Sequence, residues 1–478
     1  MTNHLTIQFA EAVAANELSG LDLGDARREA RARLLLAGML SNASASVRLQ
    51  QTSAAATKGA YRLLENELVD ASAILEPHIQ QTVIRACAHR TVLALQDTTA
   101  VSLSTLVAAE GLGPITDTAS SRGYLVHSTL MVAESTGEVL GVGAQQVWVR
   151  PATKRDASER PDQRKKRARE SQHWSEGQKK VARAFGRELE PGKWRARTED
   201  EPYVIAVFDR EGDIFETLED LVALGHGYVI RAVQNRQIES MIDAPKPRYS
   251  LDEVERGPVV GVYEVLVPRR GGVPVRPATL TARSASMRLR PPRNRGRRGN
   301  AILVNMVLVR EETPPPDVDA LCWWLLTSEP VATTDDVRRV IDIYRRRWLI
   351  EEFHMGLKTG AGVEDRQFES FDVHERFLSL ASIVAWQMLA LRDAARQAPN
   401  RPAQTILTDT QLIVLRSLVP KLPGRPTARD ALRAIAGLGG FMGRKGDGEP
   451  GWRTLWWGFQ RLLEVESGFL LAKERYGQ

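Results

Sequence analysis

Apolar positions in the first 70 or so residues recur at helical spacing in short blocks. One is ARREARARLLLAGML, with Asp25 as candidate N-cap, and another is AYRLLENEL, opened by Gly59. The pattern then changes. TVLALQ, residues 91–96, is an apolar run ending at Asp97, and residues 124–133 and 139–149 read as two strands joined by a turn at Ser135, Thr136 and Gly137. These segments predict three consecutive antiparallel strands. After a charged loop, residues 176–189 have helical periodicity, YVIAVF (203–208) is a continuous apolar strand ending at Asp209, residues 214–224 are helical, and residues 228–233 form another strand. The predicted order is therefore three strands, helix, strand, helix, strand.

From Gln234 to about Asp317, short alternating segments separated by Pro, Gly and Arg predict a β-rich insertion in an α/β core. Residues 321–326 read as a strand, 333–359 as one long helix stopped by Gly360, and 373–395 as a further helix. QAPNRP (397–402) reads as a linker. Beyond it Trp452, Leu455, Trp456, Phe459, Leu462, Leu463, Phe469 and Leu470 form an apolar stripe at helical spacing, for internal packing or for contact with a partner.

The long helix carries the most informative pattern. At about 100° per residue, Tyr344, Arg347, Glu351 and Lys358 fall within an arc of roughly 60°. Val337, Val340, Trp348 and Met355 flank them, so a carboxylate, a guanidinium and an ammonium emerge from an otherwise apolar stripe. Ionic groups in that setting need partners. An internal Arg–Glu pair tying the helix to its neighbours and a functional site account for the spacing equally well.

Composition narrows the class. The 478 residues can bury a large core in two to four domains, and 65 Lys plus Arg stand against 59 Asp plus Glu, a formal charge of +6. The distribution points to nucleic acid more than the total does. RSASMRLRPPRNRGRR, residues 283–298, holds seven arginines and no acid, and residues 154–169 add KR and RKKRAR. Arg27, Arg28, Arg31 and Arg33 decorate an N-terminal helix in a region that reads as a small DNA-reading unit or a helical cap. Cys87 and Cys322 are the two cysteines, which excludes a disulfide framework and a cysteine zinc site and fits a reducing cytoplasm. There is no signal-peptide pattern and no uninterrupted apolar run of about 18 residues, so neither secretion nor membrane insertion is expected.

Three acids stand out by context. Asp97 and Asp209 each follow a buried apolar strand, where open α/β sheets build sites, and Glu351 lies on the long helix. Carboxylates brought together repel unless a divalent cation neutralises them, and hard oxygen ligands suit Mg²⁺ or Mn²⁺. A carboxylate set holding two such ions can activate water and stabilise the leaving oxygen in phosphodiester cleavage.

The spacing of Tyr344, Arg347, Glu351 and Lys358 resembles the YREK signature of bacterial cut-and-paste DDE transposases, the type represented by transposon five. DREGD from Asp209 is similar to that family's DREAD sequence, with Gly212 in place of the usual alanine. QDTT around Asp97, SRGYLVHS (121–128), LLTSEP and GLGGFM from Gly437 are also similar, and the likeness spans nearly the whole chain.

The resemblance implies a ribonuclease-H-like core with Asp97, Asp209 and Glu351 as catalytic ligands of two Mg²⁺ ions, Mn²⁺ substituting. It implies DNA contacts from Tyr344, Arg347, Lys358, Arg210, Arg122, Arg27 and Arg28. Trp323 would stack near a base flipped out during hairpin formation, and because Trp324 follows directly, alternation sends one of the two indoles into the core. The implied partners are double-stranded transposon-end DNA, target DNA and a second copy of the chain, in a bacterial cytoplasm and without a membrane. Expected domains are residues 1–70 for end binding, 71–394 for catalysis with the insertion at about 235–318, and 395–478 for dimerisation. A nuclease of the same fold that cuts without joining, and an inactive DNA-binding regulator descended from a transposase, are the alternatives.

Overall fold

The computed structural model describes residues 4–43, 45–116, 121–151, 170–239, 248–267, 276–292, 300–316, 318–397, 399–444 and 447–476. The basic run at 154–169 and the arginines of 293–298 lie outside them. The chain divides into two compact units, Met1–Ala86 with Thr98–Ser158 and Ile350–Gln478, and Cys87–Asp97 with Glu159–Leu349. The chain thus passes between units directly after Asp97 and directly before Ile350. Strand β1 (Thr91–Ser102) belongs to both.

In the first unit the N-terminal helices form His4–Glu17, Ala26–Ser41, Ala54–Leu64 and Ala71–Ala86. Asp25 caps the second as expected, its Oδ1 accepting from the backbone N–H groups of Arg27 (2.7 Å) and Arg28 (3.3 Å). The third starts earlier than the sequence indicated. Ser53 Oγ accepts from the N–H of Ala56 at 3.1 Å and nucleates the turn, so Gly59 lies inside the helix.

Strands β2 (Gly113–Pro114), β3 (Arg122–Ala133) and β4 (Val139–Trp148) follow, β3 pairing antiparallel with both β2 and β4 and lying next to β1. A buried polar knot ties this unit together. Glu17 accepts from His78 Nδ1 at 2.6 Å and from Arg85 Nη1 at 2.8 Å, while His78 Nε2 accepts the Val142 N–H at 3.1 Å. Burial keeps His78 neutral. The same burial would push Glu17 up, but the bonds from His78 and Arg85 outweigh it and hold the carboxyl down to about 2. The Arg85 guanidinium lies 4.4 Å from the Trp386 ring, whose indole N–H donates to Val139 O at 3.0 Å. Arg366 and Arg376 are likewise spent on backbone carbonyls, those of Ala43 and Ala361 and those of Leu64 and Val69.

The C-terminal helices of this unit are Phe371–Gln397, Asp409–Leu418, Ala428–Leu438 and Trp452–Tyr476. Thr408 and Thr427 start two of them through capping boxes. The last helix crosses 428–438 at close range, since a Cβ on Gly458 would sit 1.8 Å from the Ile435 carbonyl oxygen. The apolar stripe seen in the sequence is divided. Leu455, Phe459 and Leu462 pack inward, while Trp457, Val465 and Phe469 are exposed. Among the described residues no helix is long and apolar enough to cross a membrane.

The second unit holds the hairpin β5 (Glu188–Glu190) with β6 (Lys193–Trp194), and a mixed sheet. That sheet uses β1, β7 (Tyr203–Phe208), β8 (Gly227–Arg231), β9 (Val259–Val267), β10 (Arg276–Leu289), β11 (Ile302–Glu311) and β12 (Cys322–Thr327), in the order β1-β7-β8-β12-β11-β10-β9. β7 is parallel to β1 and β8, and the remaining pairs are antiparallel. Parallel neighbours need a crossover, which the helix Phe215–Leu224 supplies between β7 and β8. The mixed α/β fold agrees with expectation. The insertion differs in detail, because β10 runs for 14 residues and joins the core sheet through β12. The first basic residues of the 283–298 run therefore lie in a strand, where Arg283 donates to Gly257 O at 2.7 Å and Arg288 to Glu239 at 2.8 Å.

One face of the sheet packs Ala206, Phe208, Tyr228, Ile230, Met306 and Leu326 against Trp174, Leu218 and Val254 of the flanking helices. The helix predicted over 176–189 occupies Gln172–Ala184, stopping where the β5–β6 hairpin begins. The helix predicted over 333–359 is also not continuous. It runs Thr334–Arg345, breaks at a turn where the N–H groups of Arg346 and Arg347 bond back only three residues to Ile343 and Tyr344, and resumes as Trp348–Met355. A π-turn over Gly356–Gly360 ends it, with Ala361 N–H reaching Gly356 O at 2.8 Å. The break exposes Trp348 and Met355, which the uninterrupted pattern had placed on an apolar stripe.

Candidate active site

The site begins with two apolar runs that have no choice but to be buried strands. VLAL of β1 and VIAVF of β7 are fully enclosed, and they pair in parallel register from Thr91 opposite Tyr203 to Leu95 opposite Val207. Continued by two residues, that register sets Asp97 beside Asp209 on the same face. Asp97 is not a strand end, as its sequence context implied, because β1 continues to Ser102. It marks where pairing with β7 stops, since β7 ends at Phe208 and the chain turns at Arg210–Gly212. Asp209 makes that turn, its Oδ1 accepting the Glu211 N–H at 2.8 Å.

Two further residues of the DREGD segment fix the turn. A Cβ on Gly212 would lie 2.6 Å from Phe208 Cβ, and Phe208 is buried in the core, so glycine here matches the phenylalanine three residues before the turn's end. Asp213 is buried and saturated. Its Oδ2 accepts the N–H groups of Val233 (2.7 Å) and Gln234 (2.8 Å), and its Oδ1 pairs with Arg236, whose Nη2 also reaches Asp213 O at 2.8 Å. Asp213 and Arg236 were not singled out from the sequence. The available signal was a second acid, four residues after the first, just ahead of an apolar helix.

Across the same unit, the helix Thr334–Arg345 delivers Tyr344. Its ring is 5.8 Å from that of Trp323, and burial raises its hydroxyl pKa, with Arg347 and Arg231 acting in the opposite direction and Asp209 reinforcing it. Arg347 Nη1 lies 3.7 Å from Asp97 Oδ2, both side chains being mostly enclosed. The helix is pinned by Glu329, which accepts from Arg339 Nη1 at 2.8 Å and from the Tyr203 hydroxyl at 3.0 Å. Alternation along β12 separates the tryptophans, Trp323 toward Tyr344 and Trp324 against the core.

Asp97, Asp209, Tyr344, Arg347 and Trp323 thus come together in one unit. Glu351 and Lys358 belong to the other. There Glu351 lies in the first turn of Trp348–Met355 and Lys358 in the π-turn, both half-buried. Glu352 has the structural task, pairing with Arg392, which is 2% exposed and also donates to Asp393 at 3.2 Å. His354, one turn on from Glu351, is kept neutral by burial and by Lys358, its pKa pushed down to about 3. Of the remaining basic candidates, Arg210 and Arg27 are exposed, Arg28 donates to Leu23 O at 3.1 Å, and Arg122 holds the loop carbonyls of Val107 and Ala109.

Adjacent carboxylates at 97 and 209 are a donor set suited to a hard divalent cation. Among the described residues no three His, Cys, Asp or Glu side chains are gathered to hold a metal ion.

Family profiles match this architecture. The transposase DDE domain matches residues 143–387, just over half of the chain, so its match includes Asp209 and Glu351 and begins after Asp97. The chain belongs to the DDE transposase family. A transposase DNA-binding profile matches residues 10–69 and the transposase Tn5 dimerisation domain matches 383–476, the order expected of a Tn5-like DDE transposase. Its core is accordingly ribonuclease-H-like, and its function that of a DNA transposase, a nucleotidyl-transferring enzyme of a class that uses divalent metal ions. Among solved structures, a piggyBac transposase synaptic complex with hairpin DNA is similar at a TM-score of 0.35 and 9% identity, over 98% of this chain and 72% of that one, a likeness too slight to bear on the argument.

Replacing Gly212 with alanine, which restores the family's usual residue, should cost about 1–3 kcal/mol by overpacking Phe208. Urea denaturation should show the loss in Gly212→Ala and its partial recovery when Phe208→Leu is added. Equal midpoints for the single variant and the parent would remove the packing explanation.

Proposed function

We propose that this DDE transposase binds both ends of a bacterial transposon, excises it, and joins the freed 3′ ends to target DNA, with Asp97, Asp209 and Glu351 as the acidic triad. The observation that carries the reading is the register that brings Asp97 beside Asp209 with Arg347 and Tyr344 against them. Glu351 is four residues beyond Arg347 and completes the donor set of Mg²⁺ or Mn²⁺ ligands. Two such ions, when bound, would activate the attacking oxygen and stabilise the leaving one.

The residues of the chain do the rest. Arg347 and Lys358 contact phosphates of the end with charge-assisted hydrogen bonds, and the raised pKa of Tyr344 keeps its hydroxyl protonated as a donor. Trp323, held against Tyr344, offers a stacking face for a base unpaired during hairpin formation. First-strand hydrolysis, hairpin formation by the 3′-OH, hairpin opening by water and strand transfer are all in-line substitutions at phosphorus, so one site serves them in turn. Residues 1–70 read the end, with Arg27 and Arg210 exposed for phosphate and Arg28 and Arg122 released from their carbonyls or acting through them. Residues 71–394 form the catalytic domain and 395–478 the dimer contact. The two unpaired thiols suit a bacterial cytoplasm.

Asp97→Asn, Asp209→Asn and Glu351→Gln keep side-chain volume and remove one charge each. All three should bind labelled end DNA about as well as the parent and lose nicking, hairpin formation and joining together. Loss of a single step contradicts one shared site, and normal nicking by all three would falsify the triad. For assembly, the exposed face of the last helix supports pairing through Trp457 and Phe469, whereas Phe459 is packed internally. Trp457→Ser with Phe469→Ser should leave single-end complexes on native gels and abolish paired-end ones; persistence of the bridged complex assigns the contact elsewhere.

A further inference from the structure

We propose that Arg347 is a charge latch on Asp97, filling the cation's electrostatic role in the DNA-free protein and giving way when a DNA phosphate claims its guanidinium. The inference rests on the reading of Asp97 and Asp209 as ion ligands and goes beyond it, because it couples ion binding to DNA binding through one residue.

The parallel register forces two carboxylates side by side, and in the protein as described Arg347 Nη1 stands 3.7 Å from Asp97 Oδ2. Side-chain exposures of 15% and 18% leave little water to screen that pair. A divalent ion on the same carboxylate would face the guanidinium's positive charge, so the ion and the latched arginine oppose each other. A phosphate has the reverse effect. Its negative charge and planar oxygen array match the guanidinium fork, and drawing Arg347 away from Asp97 leaves the carboxylates in need of positive charge. Ion and DNA then favour each other's binding by the same factor, as reciprocity requires.

The backbone permits the exchange. Arg347 sits in the break between the helices Thr334–Arg345 and Trp348–Met355, where its N–H bonds to Tyr344 O only three residues back. The side chain can therefore be redirected by turning one short link, without unwinding the helix anchored by Glu329 and Arg339. Tyr344, coupled electrostatically to both Arg347 and Asp209, stays in place as a wall of the site. A transposase latched in this way holds its ions poorly until an end is docked, which suppresses cleavage by an empty protein.

The latch makes a prediction of opposite sign to an ordinary structural role. Mn²⁺ affinity of the full-length, DNA-free protein can be measured by electron paramagnetic resonance of the unbound ion. Arg347→Ala should bind Mn²⁺ about tenfold more tightly than wild type, within the range of ordinary coupling factors, and Arg347→Lys, which keeps the charge, should change it less than about twofold. Adding a duplex already cut at the element's end should raise the wild-type affinity more than that of Arg347→Ala. Unchanged or weakened Mn²⁺ binding by Arg347→Ala overturns the latch. Asp97→Asn in the Arg347→Ala background separates the two levels: if it lowers Mn²⁺ affinity, the ligand assignment stands whatever becomes of the latch, and if it does not, the assignment itself has failed.

Discussion

Two carboxylates set side by side by a sheet register are the constraint on which the site depends. Asp97 and Asp209 extend the parallel pairing of β1 with β7 at the ~4.8 Å spacing of neighbouring strands. Their repulsion at that distance is about 3 kcal/mol at the effective dielectric of a protein surface. The core cannot relieve it, because the residues that would have to slide, Leu93, Leu95, Ile205 and Val207, are fully enclosed. Positive charge must come to the carboxylates instead, from Arg347 in the protein alone and from divalent ions in catalysis.

Much of the surrounding structure holds that arrangement still. Asp213, buried and bonded to Val233, Gln234 and Arg236, locks the turn that follows Asp209, and Gly212 lets the turn press against Phe208. Glu329 ties the helix carrying Tyr344 to Tyr203, and Arg392 with Glu352 anchors the segment carrying Glu351. In each case a charged residue next to a candidate catalytic one has a structural partner. Pairs such as Glu351 and Glu352, or Asp209 and Asp213, therefore divide labour, one acid facing the chemistry and the other the fold.

That division explains what the sequence revealed and what it withheld. VLAL and YVIAVF could only be buried strands, so Asp97 and Asp209 stood out by position, and Asp25 announced its helix by capping chemistry that is local. The alternation of Trp323 and Trp324 was legible for the same reason. Long-range partners were not. The helix read as continuous from 333 to 359 breaks at Arg346 and Arg347, whose side chains answer to groups some 250 residues away in sequence. Arg28, Arg122 and Arg283 looked like phosphate contacts by charge, yet each donates to a backbone carbonyl that periodicity cannot foresee. Gly59 misled because Ser53 offers the stronger cap, and the aromatic stripe of the last helix split between core and surface once the helix 428–438 was in place.

The most direct measurement of the central claim is anomalous diffraction from crystals of the full-length protein bound to cleaved end DNA and soaked in Mn²⁺. The account predicts anomalous peaks coordinated by Asp97 and Asp209, with Glu351 in the same ligand set and Arg347 on a DNA phosphate. Manganese held by other residues, with Arg347 still paired to Asp97 beside the bound DNA, would contradict it.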